Sequence, residues 1–125
     1  MALIHVLKNT PQEVCLKCYQ TNSNGGTLTI DLDSDYIQLP NEKFVGAESQ
    51  VTIKELHWGV KPNKHIDVNR WNPDENDWHG HYYFVGAGST VFNGFVDNSY
   101  ANGAIRIVAD GEMHLTLKLS KMGYS

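Results

Sequence analysis

Residues 112–120 have the sequence EMHLTLKLS, in which apolar and polar side chains alternate without a break. Successive side chains of a strand point to opposite faces, so the apolar residues of this stretch share one face. They are Met113, Leu115, Leu117 and Leu119. One apolar and one polar face is typical of an antiparallel sheet that covers a core on one side. The preceding pair, Asp110 and Gly111, predicts a tight hairpin between this strand and residues 104–108.

The same alternation recurs about every ten residues, and no window shows sustained helical periodicity. Strands are predicted over residues 3–8, 13–20, 27–32, 50–58, 64–70, 80–85, 89–95, 104–108 and 112–119. A change of phase between Ile53 and Leu56 predicts a β-bulge near Glu55. The chain is therefore predicted to be all-β: a single antiparallel β-sandwich domain over residues 1–125, with eight or nine short strands and a jelly roll as a candidate topology.

Composition argues against nucleic-acid and membrane partners. With a formal net charge of -4 and 19% charged residues, the chain has no basic field to hold phosphates. The apolar start, Met1 to Val6, gives way to Lys8 and Pro11 too soon for a signal sequence or a spanning helix. We expect a protein that is made soluble in the cytosol and binds neither nucleic acid nor membrane.

The two cysteines, Cys15 and Cys18, form one Cys-x-x-Cys, which in other contexts indicates redox chemistry or half of a zinc site. Here they lie in a predicted strand, where residues i and i+3 point to opposite faces and their sulfurs cannot converge. The sequence also lacks a second ligand pair at suitable spacing and the helix N-terminus that lowers a thiol pKa. We expect two ordinary thiols, with Cys18 facing the core beside Val14 and Leu16.

The pair His79 and His81 is the strongest metal signal in the sequence. On a strand both side chains would leave the same face about 7 Å apart, which suits a shared metal, and Asp77 could add an oxygen ligand. The pattern resembles the double-histidine opening of cupins, whose motif continues with a glutamate three or four residues after the second histidine. Phe84 and Val85 stand at that place. The favoured interpretation is two half-buried histidines beside aromatic packing, with no metal or cofactor.

Other signals for chemistry are weaker. Asp31, Asp33, Asp35 and Glu42 imitate the spacing of an EF-hand calcium loop, but Tyr36 occupies the position that requires glycine. A polar strand end with three solvated carboxylates is the better interpretation, and weak calcium binding stays open. The sequence has no Gly-x-Ser-x-Gly elbow and nothing that pairs carboxylates, so no catalytic residue is predicted and the protein is expected not to be an enzyme.

The polar loop predicted over residues 71–77 is the best candidate for a partner site. Trp71 and Trp78 frame this loop, which holds Asp74, Glu75 and Asp77. Large, rigid, amphipathic rings can stack on a sugar or anchor a protein interface. Core filling by the two tryptophans is the alternative, and the sequence leaves that choice open.

Four phrases of the sequence carry a resemblance: MALIHVLK (residues 1–8), LHWGV (56–60), HGHYYF (79–84) and FNGFVDN (92–98). Together they resemble small all-β virion structural proteins, of the capsid decoration or cement type, from marine tailed bacteriophages and cyanophages in particular. The resemblance spans nearly the whole chain. It implies a β-sandwich fold, assembly on the virion and no catalysis.

The resemblance also sets the functional expectation. It implies a decoration or cement protein that binds the major capsid protein or other virion proteins and stabilises the head shell. Such a protein is located in the virion, is assembled in the host cytoplasm, and acts as a homo-oligomer or bound to the shell lattice. The alternatives are a neck or tail component of the virion, a cupin-like metal enzyme, or a carbohydrate-binding module.

Overall fold

The fold is described from a computed structural model, which places residues 2–43, 49–92 and 100–123. Within these residues the chain forms nine strands that match the nine predicted ones. They are β1 (Ala2–Asn9), β2 (Glu13–Gln20), β3 (Gly26–Ile30), β4 (Gln50–Val60), β5 (His65–Asn72), β6 (Asp77–Val85), β7 (Ala87–Val91), β8 (Ile105–Ala109) and β9 (Met113–Met122). Residues 93–95 of the strand predicted over 89–95 lie outside the residues that the structure describes.

The strands form two antiparallel sheets of a β-sandwich, as predicted. Sheet A has the order β1-β2-β9-β4-β7, and sheet B has the order β3-β8-β5-β6. From β2 onward the strands pair like a long hairpin that has been rolled up: β2 with β9, β3 with β8, β4 with β7, and β5 with β6. This pairing is that of a jelly roll, which was the candidate topology. β1 adds a fifth strand at one edge of sheet A.

The core lies between the two sheets and is filled by the apolar residues at alternate strand positions. Its fully buried members include Val14, Leu16, Cys18, Ile30, Val51, Leu56, Ile66, Val68, Ile105, Ile107, Leu115, Leu117 and Leu119. Burial of one large aliphatic side chain contributes about 1.5–3 kcal/mol relative to exposure. These contacts between the sheets therefore supply the main stabilisation of the fold.

β4 changes phase in its middle, as predicted. Its register against β9 pairs Ile53 with Leu119 and Glu55 with Lys118, so Lys54 is an extra residue in the strand. Because of this bulge, Ile53 and Leu56 both face the core although a regular strand would point them to opposite faces. The bulge near Glu55 is confirmed.

The hairpin predicted at Asp110 and Gly111 is wrong. The flanking strands β8 and β9 lie in different sheets, so these residues carry the chain across the sandwich. Asp110 instead caps β5: its Oδ1 accepts a hydrogen bond from the His65 amide at 2.7 Å. That hydrogen bond, with the nearby imidazole, holds the pKa of the Asp110 carboxyl below its ordinary value. The local turn signal was correct, but it contains no information about which sheet the next strand joins.

Arg70 of β5 lies in the interior, with 1% of its surface exposed. Its guanidinium donates to the backbone carbonyl of Val51 in sheet A at 2.9 Å. It also donates to the carbonyls of Ala101 at 3.0 Å and Gly103 at 2.9 Å, on the segment that leads into β8. One side chain thus connects both sheets and a connecting segment through backbone acceptors.

A second buried cation, Lys121 of β9, lies at the same end of the sandwich. Its ammonium lies 2.5 Å from Glu42 Oε1, with 0% and 9% of the two side chains exposed. It also donates to Asn9 Oδ1 at 3.0 Å and to the Thr10 carbonyl at 3.1 Å. Lys121 therefore holds together the loop after β3, the β1–β2 turn and the end of β9.

The two ends of the sandwich differ in charge. One end, which we call the acidic end, carries the β5–β6 turn and the segment that follows β3. Its exposed carboxylates are Asp31, Asp33, Asp35, Asp74, Glu75 and Asp77, and the same segments carry one exposed lysine, Lys43. The opposite end carries the β4–β5, β6–β7 and β8–β9 connections, and we call it the mixed-charge end. Its charged residues are Lys61, Lys64, Asp110 and Glu112.

Candidate functional site

The predicted acidic loop is a short turn between β5 and β6. Trp71 pairs with Trp78 across the two strands, so both tryptophans belong to the sheet and not to a loop. The Asn72 side chain accepts a hydrogen bond from the Asp74 amide at 3.0 Å. Asn76 adopts a positive φ of 54°, a conformation that asparagine tolerates better than most residues. The loop is thus shorter than predicted, because strand pairing extends to both of its tryptophans.

Trp71 and Trp78 lie on the outer face of sheet B. Their neighbours Arg70 and Asn72 are buried on the inner face, and alternation therefore points Trp71 and its cross-strand partner outward. The two indole rings meet edge to face, with centroids 5.2 Å apart and planes at 67°. Aromatic pairs favour this arrangement, and it orders both rings. Each ring is half-buried and offers its remaining surface to solvent.

Arg106 of β8 completes this aromatic surface. Its guanidinium carbon lies 4.6 Å from the centre of the Trp78 ring, within the range of a cation–π contact. Its Nε is buried and has no hydrogen-bond acceptor within the described part of the chain. Sequence reasoning missed Arg106. The burial of Ile105 and Ile107 predicts that it points outward, but its contact with Trp78 depends on the strand order. We call Trp71, Trp78 and Arg106 the aromatic platform.

The acidic side chains lie beside the aromatic platform in three different roles. Asp77 accepts a hydrogen bond from the Trp78 amide at 2.8 Å and so fixes the start of β6. Glu75 Oε2 lies 2.8 Å from His79 Nε2, within hydrogen-bonding distance. Asp74 is exposed in the turn. The five predicted partner residues therefore form one neighbourhood, with an aromatic centre and an acidic border.

The two histidines are arranged around an aromatic ring. β6 has a bulge here: Asn69 pairs with Gly80 and Val68 with Tyr82, so His81 is the extra residue. The expected regular alternation between the two histidines is therefore interrupted. The ring centres of His79 and His81 lie 4.7 Å and 6.2 Å from that of Tyr100.

The described residues include several side chains of the types that bind metals. Among residues 2–43, 49–92 and 100–123, no group of three or more His, Cys, Asp or Glu side chains is arranged to hold a metal ion. Asp77 is engaged with a backbone amide, as described above, and Glu42 binds Lys121. Glu42 is thus separated from the EF-hand-like residues Asp31, Asp33 and Asp35, which are exposed as predicted.

The two thiols of the Cys-x-x-Cys point to opposite faces of β2, as predicted. Both are free; Cys18 is buried in the core and Cys15 is half-buried on the outer face. Burial raises the pKa of the Cys18 thiol to about 12. Desolvation, supported by the nearby Glu13 and Glu55 carboxylates, also raises the pKa of Cys15. Neither environment favours the thiolate that redox or nucleophilic chemistry requires.

Alkylation should distinguish these two thiols. In native protein at pH 8 we expect iodoacetamide to modify Cys15 slowly, because its raised pKa leaves little thiolate, and to leave Cys18 unmodified. Peptide mass spectrometry over a time course measures both sites. Unfolding in urea serves as the control, because both thiols should then react at similar rates. Rapid native modification of Cys18 would contradict its place in the core.

No protein-family model matches the sequence, and no curated protein is significantly similar to it. Within the described residues no helix has the length and apolar character needed to cross a membrane. The geometry of the site and the resemblance of the sequence are therefore the two observations that bear on function.

Proposed function

We propose that this chain is a non-enzymatic structural protein of a bacteriophage virion, a decoration or cement protein that binds and stabilises the head shell. The observation that carries the proposal is the aromatic platform, an ordered pair of outward tryptophans beneath an arginine on the outer face of sheet B. The four phrases that resemble phage structural proteins provide the class of partner, the major capsid protein. The proposed location is the virion, after assembly in the host cytoplasm.

The aromatic platform has the chemistry of an interface centre. Trp and Arg are enriched among the residues that contribute most to protein–protein binding, since they bury large areas and lose little conformational freedom. Trp71 and Trp78 are already ordered by their mutual contact, and Arg106 is held over one ring. Binding of a partner surface to these side chains would therefore lose little conformational entropy.

The charge at the acidic end also favours this end as the part of the protein that faces the shell. Exposed carboxylates lie in the β5–β6 turn next to the platform, whereas the chain as a whole carries a net charge of only -4. A basic patch on the shell would be attracted to this end, and such complementarity chiefly increases the association rate and the specificity. On a repeating lattice, modest affinities of individual copies add through multivalency, particularly if the copies also contact one another.

Replacement of Trp78 by alanine tests the platform directly. We expect roughly 10- to 100-fold weaker binding to purified heads that lack the protein, because loss of a central tryptophan typically costs about 2 kcal/mol or more. Co-sedimentation over a range of protein concentrations measures the affinity. Tyr83→Ala is the matched control, since Tyr83 is a 63% exposed aromatic of the same strand. Equal binding by Trp78→Ala and the wild type would refute the platform as the shell contact.

The copy number in the virion tests the class of protein. A decoration protein should be present in many copies per particle, which quantitative mass spectrometry of purified virions measures against the major capsid protein. A few copies would instead support the alternative of a neck or tail component. Absence from the virion would exclude both, and a cupin-like metal enzyme or a carbohydrate-binding module would then be the remaining candidates.

A further inference from the structure

An open groove of about 770 Å³ crosses the outer face of sheet A at the mixed-charge end. Four strands meet there in one row of the sheet: Tyr19 of β2 pairs with His114 of β9, which pairs with Gly59 of β4, which pairs with Ala87 of β7. Cross-strand partners share a face, so this row lies along the groove. The volume is within the range of about 300–1,000 Å³ that small-ligand sites occupy.

The floor of the groove consists of the His114 imidazole over β4 and of the small residues Gly86 and Ala87. A Cβ atom on Gly59 would lie 2.3 Å from His114 Nε2, so the glycine allows the imidazole to lie across β4. Beside it, Ala87 contributes a single methyl group, and Gly86 turns the chain with φ of 66° and open space around its α-carbon. A flat ring can therefore pack on the imidazole and approach the backbone closely at Gly86 and Ala87.

The wall of the groove is aromatic and already ordered. The Tyr19 hydroxyl lies 2.7 Å from His5 Nε2, and the two rings stack with centroids 5.3 Å apart. These contacts fix the position of Tyr19 before any ligand arrives. His5 covers one face of the Tyr19 ring, so the other face of Tyr19 and the ring of His114 are the surfaces on which the apolar face of a ligand ring can pack.

The rim of the groove bears one charge of each sign. Lys61 Nζ and Glu112 Oε2 lie 3.5 Å apart, and both side chains are about half exposed, at 53% and 47%. Because the two charges offset each other, the rim favours neither an anionic nor a cationic ligand. It does supply hydrogen-bond donors and acceptors to a ligand that carries hydroxyl groups.

We propose that this groove binds a neutral oligosaccharide. A pyranose ring combines a flat apolar face, which suits the ring faces of Tyr19 and His114, with edge hydroxyls that suit Lys61 and Glu112. The absence of a side chain at Gly59 allows the imidazole to lie close to β4, and Gly86 and Ala87 leave room for the sugar ring beside it. Sugar binding at this site is independent of the aromatic platform, which lies on the other sheet and towards the opposite end.

The arrangement permits simultaneous binding at both sites. If the acidic end faces the shell, as in the proposed function, the groove at the mixed-charge end faces away from it. A head-bound copy could then hold a surface polysaccharide, with avidity from the repeated copies. This geometric link uses the proposed function, whereas binding of sugar by the groove does not.

Amide chemical shifts of the isotope-labelled full chain test the proposal. The probes are maltotriose, cellotriose and N-acetylchitotriose, each titrated at neutral pH up to about 10 mM, which detects dissociation constants in the millimolar range. We expect at least one of them to shift the amides of Gly59, Gly86, Ala87 and Glu112 in a saturable way. No saturable shift with any of the three would overturn the proposal.

Two variants and a control connect the response to the groove. Ala87→Trp fills the floor of the groove. His114→Ala removes one of its two rings, and because His114 is exposed the change should leave the core intact. Each variant should weaken sugar binding at least tenfold. Ser89→Trp is the control, since Ser89 lies two residues along the same face of β7 and outside the groove. It should change the affinity less than twofold. Retained sugar binding in both groove variants would overturn the site.

Two further results distinguish a neutral from an acidic sugar and distinguish the groove proposal from the platform proposal. A stronger response to trigalacturonate than to the neutral trisaccharides would mean that Lys61 selects the ligand, and would overturn the assignment to a neutral sugar. Ala87→Trp should bind heads as the wild type does. Loss of head binding in Trp78→Ala with an unchanged sugar response would support both proposals, and normal head binding in Trp78→Ala would contradict the platform alone.

Discussion

Replacing Arg70 by methionine should lower the free energy of unfolding by about 3–5 kcal/mol, because it removes the guanidinium donor from three buried carbonyls, of which that of Ala101 keeps the Val51 amide as a second donor. These carbonyls belong to Val51, Ala101 and Gly103. Methionine fills most of the volume but cannot donate a hydrogen bond. Since small domains are stable by only about 5–15 kcal/mol, the loss should be visible as a large decrease in the urea midpoint, followed by circular dichroism.

Arg106→Met is the matched control for this experiment. Arg106 is also a strand arginine of sheet B, but it is only half-buried and lies over Trp78 on the outer face. We expect a loss of about 1 kcal/mol or less, mainly from the cation–π contact. Similar unfolding curves for the two variants would show that the interior hydrogen bonds of Arg70 do not stabilise the fold as described.

The second large effect is expected at Lys121. Replacing it by methionine should cost about 3 kcal/mol or more, because the Glu42 carboxylate stays behind with little access to water. The replacement also removes the donor from Asn9 Oδ1 and from the Thr10 carbonyl. Urea unfolding measures the loss, with Lys118→Met as the control, since the Lys118 side chain is 39% exposed on the same strand.

A double-mutant cycle separates the ion pair from the rest of the lysine's contacts. Glu42→Gln keeps an acceptor for the Leu39 amide but removes the charge. Once Lys121 is methionine, the glutamine should cost less than it does alone, with a coupling energy on the order of 1–3 kcal/mol. Additive losses would mean that the two side chains do not stabilise each other.

The same pair gives the stability a pH dependence of known sign. Burial alone would raise the pKa of Glu42, but the hydrogen bonds from Lys121 and the Leu39 amide outweigh it and hold that pKa below its ordinary value. The stabilisation is therefore complete above the unfolded value of about 4.3 and is lost as the pH falls through the folded value. Lys121→Met should reduce this acid-dependent loss. An unchanged profile between pH 3 and 6 would contradict the assignment.

Most of the fold could be predicted because burial follows local alternation. The strand β9 shows this best: Met113, Leu115, Leu117 and Leu119 face the core, as the sequence EMHLTLKLS indicates. The bulge in β4 was visible as a change of phase between Ile53 and Leu56. By contrast, Asp110 and Gly111 gave the correct turn but the wrong partner strand, because a turn signal is local and sheet membership is not.

The candidate site was predicted only in part. Trp71 and Trp78 flank one turn, so their proximity followed from the sequence. Arg106 is distant along the chain, and only the pairing of β8 with β5, and of β5 with β6, places it near Trp78. The groove at the other end was also hidden, since its wall and floor come from four strands that are widely separated in the sequence.

By itself the sequence determined the all-β class, the strand positions and the residues that face the core, because these depend on a period of two and on turn residues close together in the chain. Only the tertiary structure decided the jelly-roll strand order, the burial of Arg70 and Lys121, and the formation of the aromatic platform and the groove. These features depend on the pairing of distant strands, where each contact requires a particular register. Strand alternation indicates the face on which a side chain lies, and only the pairing of the strands determines its neighbours.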